Sequence, residues 1–598
     1  MVKFIVAIET VKIKEFLFST NKLRVIRGAS YLLDYLNQVE VPKILEENDI
    51  TEDNIIYIGA GNAKFFVERD TVEEAKAAVD KIIAEVKEKY EKEAPGAKVV
   101  GVYVPTEYEK GKRSSEGKEV WYNLDKLGEL TVIEKSKGFS TLNIDLPYIE
   151  KCELSGNEVA EVDCKNLVKD LRNLGYILNE DESEVIISEK KSLNDQVDKI
   201  SIESLQDQIK KLAKTTGRIS EATLKKIIAS NLLKNSRIAI EKKVGFYQYI
   251  KNYINTYNKN DKNQKVAIEL RTNIDDFENE DSFIGFMYSD GDALGDFFKN
   301  LKNIFKNLEI DNAEESYIKF LKYFSKNLDE TTKQSLSETL IDIFKNTKDE
   351  KRWGEFLIVG GDDVCAVFDP TLALDISYNF QKKFEEKMLK NMEKIVTENT
   401  KKILNSKVTS SSGVIIAKTK TPMFQLFEQG LNLQKNAKEK RKETIISNLN
   451  ATGFIDFQVI GSEGCVNIKS FRESVSSDSN KIMERPYSIN FSTSNEEKKK
   501  VKNLDDLLKL IYKMKKINFP SNKLRYIYDL KRDSNLGDTK KKMNFINILS
   551  KMSDEHIKFI VNDLELDYKE LNTFDNNFNN IFDILEIYDF IEEKEVKI

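Results

Sequence analysis

The chain has 598 residues, 94 Lys and Arg against 100 Asp and Glu, a net charge of −6 and 40% hydrophobic residues. This fits several globular domains and lacks the strongly basic balance of a protein built to coat nucleic acid. A single histidine, His556, excludes histidine-rich metal sites, Ser-His-Asp triads and histidine-based phosphohydrolase centres, so metal chemistry must rest on carboxylates. Four scattered cysteines cannot staple a chain this long, and no apolar run approaches the ~20 residues of a membrane span, so a cytoplasmic protein with reduced thiols and no membrane partner is expected.

In chain order, the opening "MVKFIVAIE" mixes charge into its apolar run and reads as a strand rather than a secretion signal. A helical stretch follows around "NKLRVIRGASYLLDYLN", then the hairpin "NIIYIGAGNAKFFV", the amphipathic helix "VEEAKAAVDKIIAEVKEKY" and the strand "AKVVGVYVP". The same order returns later: "SFIGFMYSDGD", a helix over "ALGDFFKNLKNIFKNL", the hairpin "EFLIVGGDDVCAVF", the helix "ALDISYNFQKKFEEKML" and the strand "SSSGVIIAK". In the second copy Leu294, Phe297, Phe298, Leu301, Ile304, Phe305 and Leu308 keep helical spacing.

Each copy therefore reads βαββαβ, a ferredoxin-like sheet with helices on one face, and the fold class is α+β. The expected domains are a first palm-like domain over 1–148, a linker domain over 149–275, a second palm with a β extension over 276–495, and a C-terminal helical bundle over 496–598.

The two hairpins align without a gap, Ile58-Gly59-Ala60-Gly61-Asn62 on Val359-Gly360-Gly361-Asp362-Asp363. The turn glycines repeat but the carboxylates do not, so the second copy carries extra chemistry. "FMYSDGDALG" sets Asp290 and Asp292 at the end of the strand that neighbours this hairpin, which lets Asp290 face Asp362 and Asp363. Clustered hard oxygen ligands suit Mg2+ or Mn2+, which use few carboxylates and complete their shell with water and substrate phosphates. Two such ions would activate a ribose hydroxyl and stabilise leaving pyrophosphate. Gly360 and Gly361 let phosphate approach the turn backbone. Lys438, with Lys435 one turn earlier in "LNLQKNAKEK", meets a triphosphate as a point charge or is a solvated helix end.

These motifs, with "IGAGN", "SSSGVIIAKTKTPM", "FIDFQVIG", "ERPYS" and "FPSNKLRYI", resemble the large, polymerase- and cyclase-like subunit of type III CRISPR effector complexes, the Cas ten family, here of Cmr type without an HD nuclease domain. The palm motifs are shared with GGDEF-type nucleotide cyclases. The resemblance implies an enzyme that uses ATP to make a cyclic oligoadenylate second messenger when its complex binds target RNA. Its partners would be other type III subunits, guide RNA and target RNA. It places the metals on Asp290, Asp362 and Asp363. It places nucleotide near Gly28, Ala29 and Ser30, taken as the start of the first helix where free N–H groups meet phosphate. Gly59, Gly61 and Asn62 of the first hairpin, with Gly291, Asp292, Gly360, Gly361, Ser412, Lys435 and Lys438 of the second palm, complete the candidate nucleotide-binding set.

Two other products of the same architecture stay open: ATP joined to S-adenosylmethionine (SAM-AMP), and none at all, from an inert scaffold subunit. Glu68 and Asp70 would answer an amino group on such an acceptor, or are solvated loop acids. The family's zinc element is degenerate here, because Ser155 and Leu167 stand where partners of Cys152 and Cys164 would complete C-x2-C pairs, so no zinc is expected. "EKSKGFSTLN" and "KNYINTYNKNDKNQK" read as solvated loops.

Overall fold

The computed structural model describes residues 2–59, 61–106, 120–137, 148–187, 198–242, 244–260, 266, 274–307, 313–345, 354–396, 407–446, 452–461, 467–476, 481–490, 501–533, 535–564 and 578–592. Leu308, Ala60 and residues 138–143 and 261–265 of the two basic, aromatic segments lie outside the described residues. The expectation of solvated loops is corrected for the rest: the first segment begins in the end of the helix Val120–Ser136, and residues 251–260 belong to the helix Phe246–Asn260, with Ile254 buried in the core.

Strands β1 (Val2–Val11), β2 (Ile55–Gly59), β3 (Asn62–Arg69) and β4 (Lys98–Thr106) form an antiparallel sheet in the order β2-β3-β1-β4, the ferredoxin-like arrangement. Its central strand is buried on both faces, with Phe4, Ile5, Val6 and Ala7 each at most 1% exposed. One face meets helices α1 (Leu23–Tyr35) and α2 (Val72–Glu93). Thr71 starts α2 with a capping box, its hydroxyl accepting from the Glu74 amide while Glu74 reaches back to the Thr71 amide. The opposite face is covered too: Ile5, Ala7 and Phe66 pack with Leu124 and Leu127 of helix α3 (Val120–Ser136). The one-faced layout expected from the repeat is thus closed on its second side here, because every residue of the "FIVA" run is apolar.

Helix α4 (Glu221–Asn235) of the linker region crosses α1 closely. A Cβ on Gly28 would stand 1.7 Å from the Lys226 carbonyl oxygen, so only glycine fits the crossing. This corrects the reading of Gly28, Ala29 and Ser30 as a helix start: α1 begins five residues earlier, at Leu23, and the three sit inside it. Their amides fall within the helical ladder, where they are not free for phosphate. Ala29 is fully buried and Ser30 lines a cavity between the palms. The Lys226 ammonium is buried, donating to the Phe16 carbonyl at 2.8 Å and Ser19 Oγ at 2.9 Å. Cys152 and Cys164 belong to the linker's own apolar core, their thiols 3.5 Å from Thr223 Oγ1 and 3.4 Å from the Gln206 carbonyl.

The second palm repeats the topology with strands β5 (Phe283–Gly291), β6 (Glu355–Gly360), β7 (Asp363–Phe368) and β8 (Ser410–Lys418), extended by β9 (Phe454–Ile460) and β10 (Tyr487–Ser488), in the order β6-β7-β5-β8-β9-β10. The repetition reaches fine detail. Each hairpin carries a bulge at the same place, between Ile55 and Tyr57 in one and Phe356 and Ile358 in the other, and closes on Gly59 opposite Asn62 and Gly360 opposite Asp363.

Helix α5 (Leu294–Lys306) is followed by a 32-residue helix, α6 (Ala313–Phe344), that has no counterpart of that length in the first palm. It packs along α7 (Ala373–Ile395) and against β2 of the first palm. Arg27 of α1 and Glu355 of β6, 4% and 3% exposed, form a two-pronged ion pair that ties the palms together, with Nε to Oε1 at 2.6 Å.

Helices Leu504–Lys516, Ser521–Arg532, Asp538–Leu549, Asp554–Asn562 and Ile581–Ile587 follow the second palm, and their apolar faces join its core without a break. Among the described residues no helix is long and apolar enough to cross a membrane.

Candidate active site

The acids gather at the end of β5. Ser289 pairs with Val364, so the next step of the ladder brings Asp290 beside Asp363, and Asp362 lies in the turn just before. Gly291 permits this closeness: its amide donates to Asp362 Oδ2 at 3.1 Å, and a Cβ there would stand 2.5 Å from the same oxygen. The Tyr288 hydroxyl donates to Asp363 Oδ1 at 3.0 Å. Asp362 and Asp290 are within hydrogen-bonding reach of each other, which two bare carboxylates do not tolerate without a shared proton or a cation. Burial, then Asp363 and Asp290, holds the Asp362 carboxyl well above its ordinary range. Burial and Asp290 push Asp363 up to about 7, against the opposing Tyr288 hydrogen bond, Lys438 and Lys14.

Positive charge arrives on helix α8 (Met423–Ile446). The helix lies directly on β8 because two glycines meet there, a Cβ on Gly413 standing 2.2 Å from the Gly430 carbonyl oxygen. That contact carries Gln434 and Lys438 over Asp290, whose Oδ2 they approach at 3.3 and 2.5 Å. Lys435 lies one turn earlier, near Lys14, a first-palm residue that the sequence reading missed. Lys14 sits in the short helix Ile13–Leu17 after β1, its ammonium 4.7 Å from the centre of the Phe427 ring. Surrounding protein and then Lys435 lower its affinity for a proton, while Asp363 and Asp290 oppose them. Only the chain's folding brings it to the acids.

The first palm keeps one acid at the matching place. Glu9 pairs with Asn62, the position that Asp290 holds against Asp363, and Lys135 neutralises it. Gly59, Gly61 and Asn62 form that palm's hairpin tip, where the Gly61 carbonyl accepts from the Thr10 amide at 2.7 Å. The β2 strand of this hairpin packs against α6, the helix that also holds the second palm's hairpin turn through Asp329 and Thr332. Glu68 lies at the far end of β3, paired with Lys3 at 2.5 Å, and Asp70 follows it, away from the tip.

Two expected residues point elsewhere. Asp292 is 3% exposed beneath the sheet, its Oδ2 accepting from Thr409 and Ser411 hydroxyls at 2.8 and 2.9 Å beside Arg441. Ser412 is fully buried, with Ser377 Oγ at 2.6 Å and the Gln381 amide at 3.0 Å. Strand alternation explains Ser412, which faces α7 through Ser377 and Gln381. Asp292 shares the α8 side with Asp290 but follows the last residue of β5 and is buried farther along α8, against Arg441.

Among the described residues no three carboxylate, thiol or imidazole side chains are grouped as a ready metal cage. The acid trio nevertheless fits Mg2+ or Mn2+, which take only part of their shell from protein. Two close carboxylates, a third within hydrogen-bonding reach and the room that Gly291 leaves beside Asp362 are the features such an ion uses.

Residues 283–446 match the family model described as Cas10/Cmr2, second palm domain, and residues 4–146 match Csm1 subunit domain B. Together the two cover just over half of the chain. No match was found among curated proteins. Among solved structures, the Csm1-Csm4 cassette in complex with cA3 is 11% identical over 99% of this chain and 70% of that one, at a TM-score of 0.51, a likeness of fold. The same cassette with cA4 gives 13% identity over 98% and 70%, at a TM-score of 0.49. With both palms matched in order and the fold shared along its length, the chain belongs to the Cas10/Csm1 family of type III CRISPR large subunits.

Proposed function

We propose that this subunit is an ATP-dependent nucleotidyltransferase that makes cyclic oligoadenylate when its effector complex binds target RNA. The observation that carries the reading is the meeting of Asp290, Asp362 and Asp363 with Lys438, Lys435 and Lys14 at the cleft between the palms. Acids and cations in one cleft are what transfer of a nucleotide from a triphosphate needs, because charge moves from the attacking hydroxyl to the leaving pyrophosphate.

One nucleotide lies with its α-phosphate at the acids, and the hydroxyl of a second, held toward the first palm's hairpin tip, attacks in line. Asp290, Asp362 and Asp363 would hold a divalent cation, which when bound would supply Lewis acidity for loss of the hydroxyl proton and offset charge on the leaving pyrophosphate. Lys435 and Lys14 meet the β- and γ-phosphates as point charges. Lys438 holds Asp290 in place until phosphate competes for its ammonium. The neighbours would be other type III subunits, a Csm4-like protein among them, with guide RNA and target RNA in the same assembly. The Csm1-Csm4 cassette, whose fold is shared, has been crystallised with cA3, which supports a cyclic adenylate as product.

The test is pyrophosphate release from ATP by the assembled complex. Release that requires both target RNA and Mg2+ or Mn2+, and stops on chelation, supports the reading; a complex that binds target RNA yet releases none overturns it. Within that assay Lys14→Ala raises the KM for ATP about tenfold, the loss of one charge-assisted phosphate contact, with kcat less affected. A KM within twofold of the parent removes Lys14 from the site.

A further inference from the structure

The turn that carries the acids is held by α6, which is longer than the helical run 23–47 that lies between first strand and hairpin in the first palm. Gly361 occupies the left-handed region, φ 62°, at the hairpin tip. Its amide donates to Asp329 Oδ1 at 3.0 Å, and its carbonyl accepts from the Thr332 hydroxyl at 2.6 Å. Both partners belong to α6, three residues apart and hence on one face. Thr332 is fully buried; its oxygen also lies 3.0 Å from the Leu328 carbonyl, and its one proton serves the shorter contact to the turn. Lys333 pairs with Asp329 Oδ2 at 2.7 Å and lies over the Tyr249 ring, and its charge acts on Asp34 of α1 in the first palm.

The first hairpin has the same bulge and closing pair but ties its turn to its own sheet, through Gly61 and Thr10. Among the described residues the acid-bearing turn is gripped at both backbone groups of Gly361 from outside its sheet. Adjacent aspartates repel and would splay an exposed turn, whereas transfer chemistry needs carboxylates held to within about half an ångström.

We infer that Asp329 and Thr332 are positioning residues that lock the acid-bearing turn in its reactive geometry. The inference rests on the nucleotidyl-transfer reading of the site. Thr332→Val removes the donor at equal shape and Asp329→Ala removes the acceptor, while Thr332→Ser and Asp329→Asn keep them.

In the assembled complex, Thr332→Val and Asp329→Ala lower kcat about tenfold with the KM for ATP unchanged within about twofold, and the serine and asparagine variants restore more than half the rate. Amide exchange followed by mass spectrometry on the peptide 355–368 speeds up in Asp329→Ala in the full chain and not in Asp329→Asn. Wild-type turnover in both Thr332→Val and Asp329→Ala, while Asp362→Ala/Asp363→Ala is inactive, overturns the lock; so does equal impairment of Thr332→Val and Thr332→Ser. If the double aspartate variant itself keeps turnover, the nucleotidyl-transfer reading falls instead, and the exchange rate of the turn alone decides whether the lock exists.

Discussion

Replacing Asp362 and Asp363 together by alanine abolishes nucleotide product, by at least about a thousandfold, while the complex still assembles and binds target RNA. The size follows from losing two of three carboxylates that face the same phosphate. Assembly survives because the turn is held through the Gly361 backbone, which alanine at the next two positions leaves in place. The folded protein gives up two contacts, from the Gly291 amide and the Tyr288 hydroxyl, but these are offset because the two half-buried acids repel each other and Asp290, and their removal relieves charge at the tip. Product counted by mass and complex counted by size-exclusion chromatography check both halves; turnover unchanged in the double variant would sink the assignment.

The largest effect on stability is expected at Asp583. Fully buried, it accepts from the Glu484 amide at 2.7 Å, Arg485 Nε at 2.6 Å and the Tyr487 hydroxyl at 2.7 Å. Arg485 also reaches Glu586 at 2.6 Å and stacks 4.4 Å from the centre of the Phe457 ring. The network joins the helix Ile581–Ile587 to the β extension of the second palm. Asp583→Ala leaves the Glu484 amide, the Tyr487 hydroxyl and one edge of the buried Arg485 guanidinium without their acceptor, with Glu586 as the remaining counter-charge, which costs about 3 kcal/mol. Denaturant unfolding of the full chain, with proteolysis reporting release of the last helices, measures it. Asp583→Asn keeps two of the acceptor contacts and loses less; an alanine variant within about 0.5 kcal/mol of the parent contradicts the role.

The repeated palms were legible because a strand–helix–hairpin order is written locally, in apolar runs and turn glycines. The match of Gly59 opposite Asn62 to Gly360 opposite Asp363 follows from a gapless alignment of the two hairpins. Asp290 beside Asp363 was readable too, since it follows from strand neighbours. Lys438 was read as meeting a triphosphate or as a solvated helix end, and its contact with Asp290 shows only in the fold.

What stayed hidden depends on contacts between distant segments. Lys14 looks like any exposed charge until the short helix carrying it meets Phe427 and Lys435. Glu9 is found only by laying one palm's ladder on the other. The Gly28-Ala29-Ser30 step was misplaced because a glycine inside a helix, where it lets another helix approach, reads in sequence like a glycine at its start. Ser412 sits in an "SSSG" segment whose small polar residues give no alternation to show which face is outward. Asp292 follows the end of its strand, so its burial against Thr409, Ser411 and Arg441 depends on distant segments.

The most direct test of the central claim is mass spectrometry of the products made by the assembled complex from ATP, Mg2+ and target RNA, with and without S-adenosylmethionine. The account predicts a cyclic oligoadenylate formed without the methyl donor and lost in the Asp362→Ala/Asp363→Ala variant. A product that appears only with S-adenosylmethionine, or no nucleotide product under either condition, would contradict it.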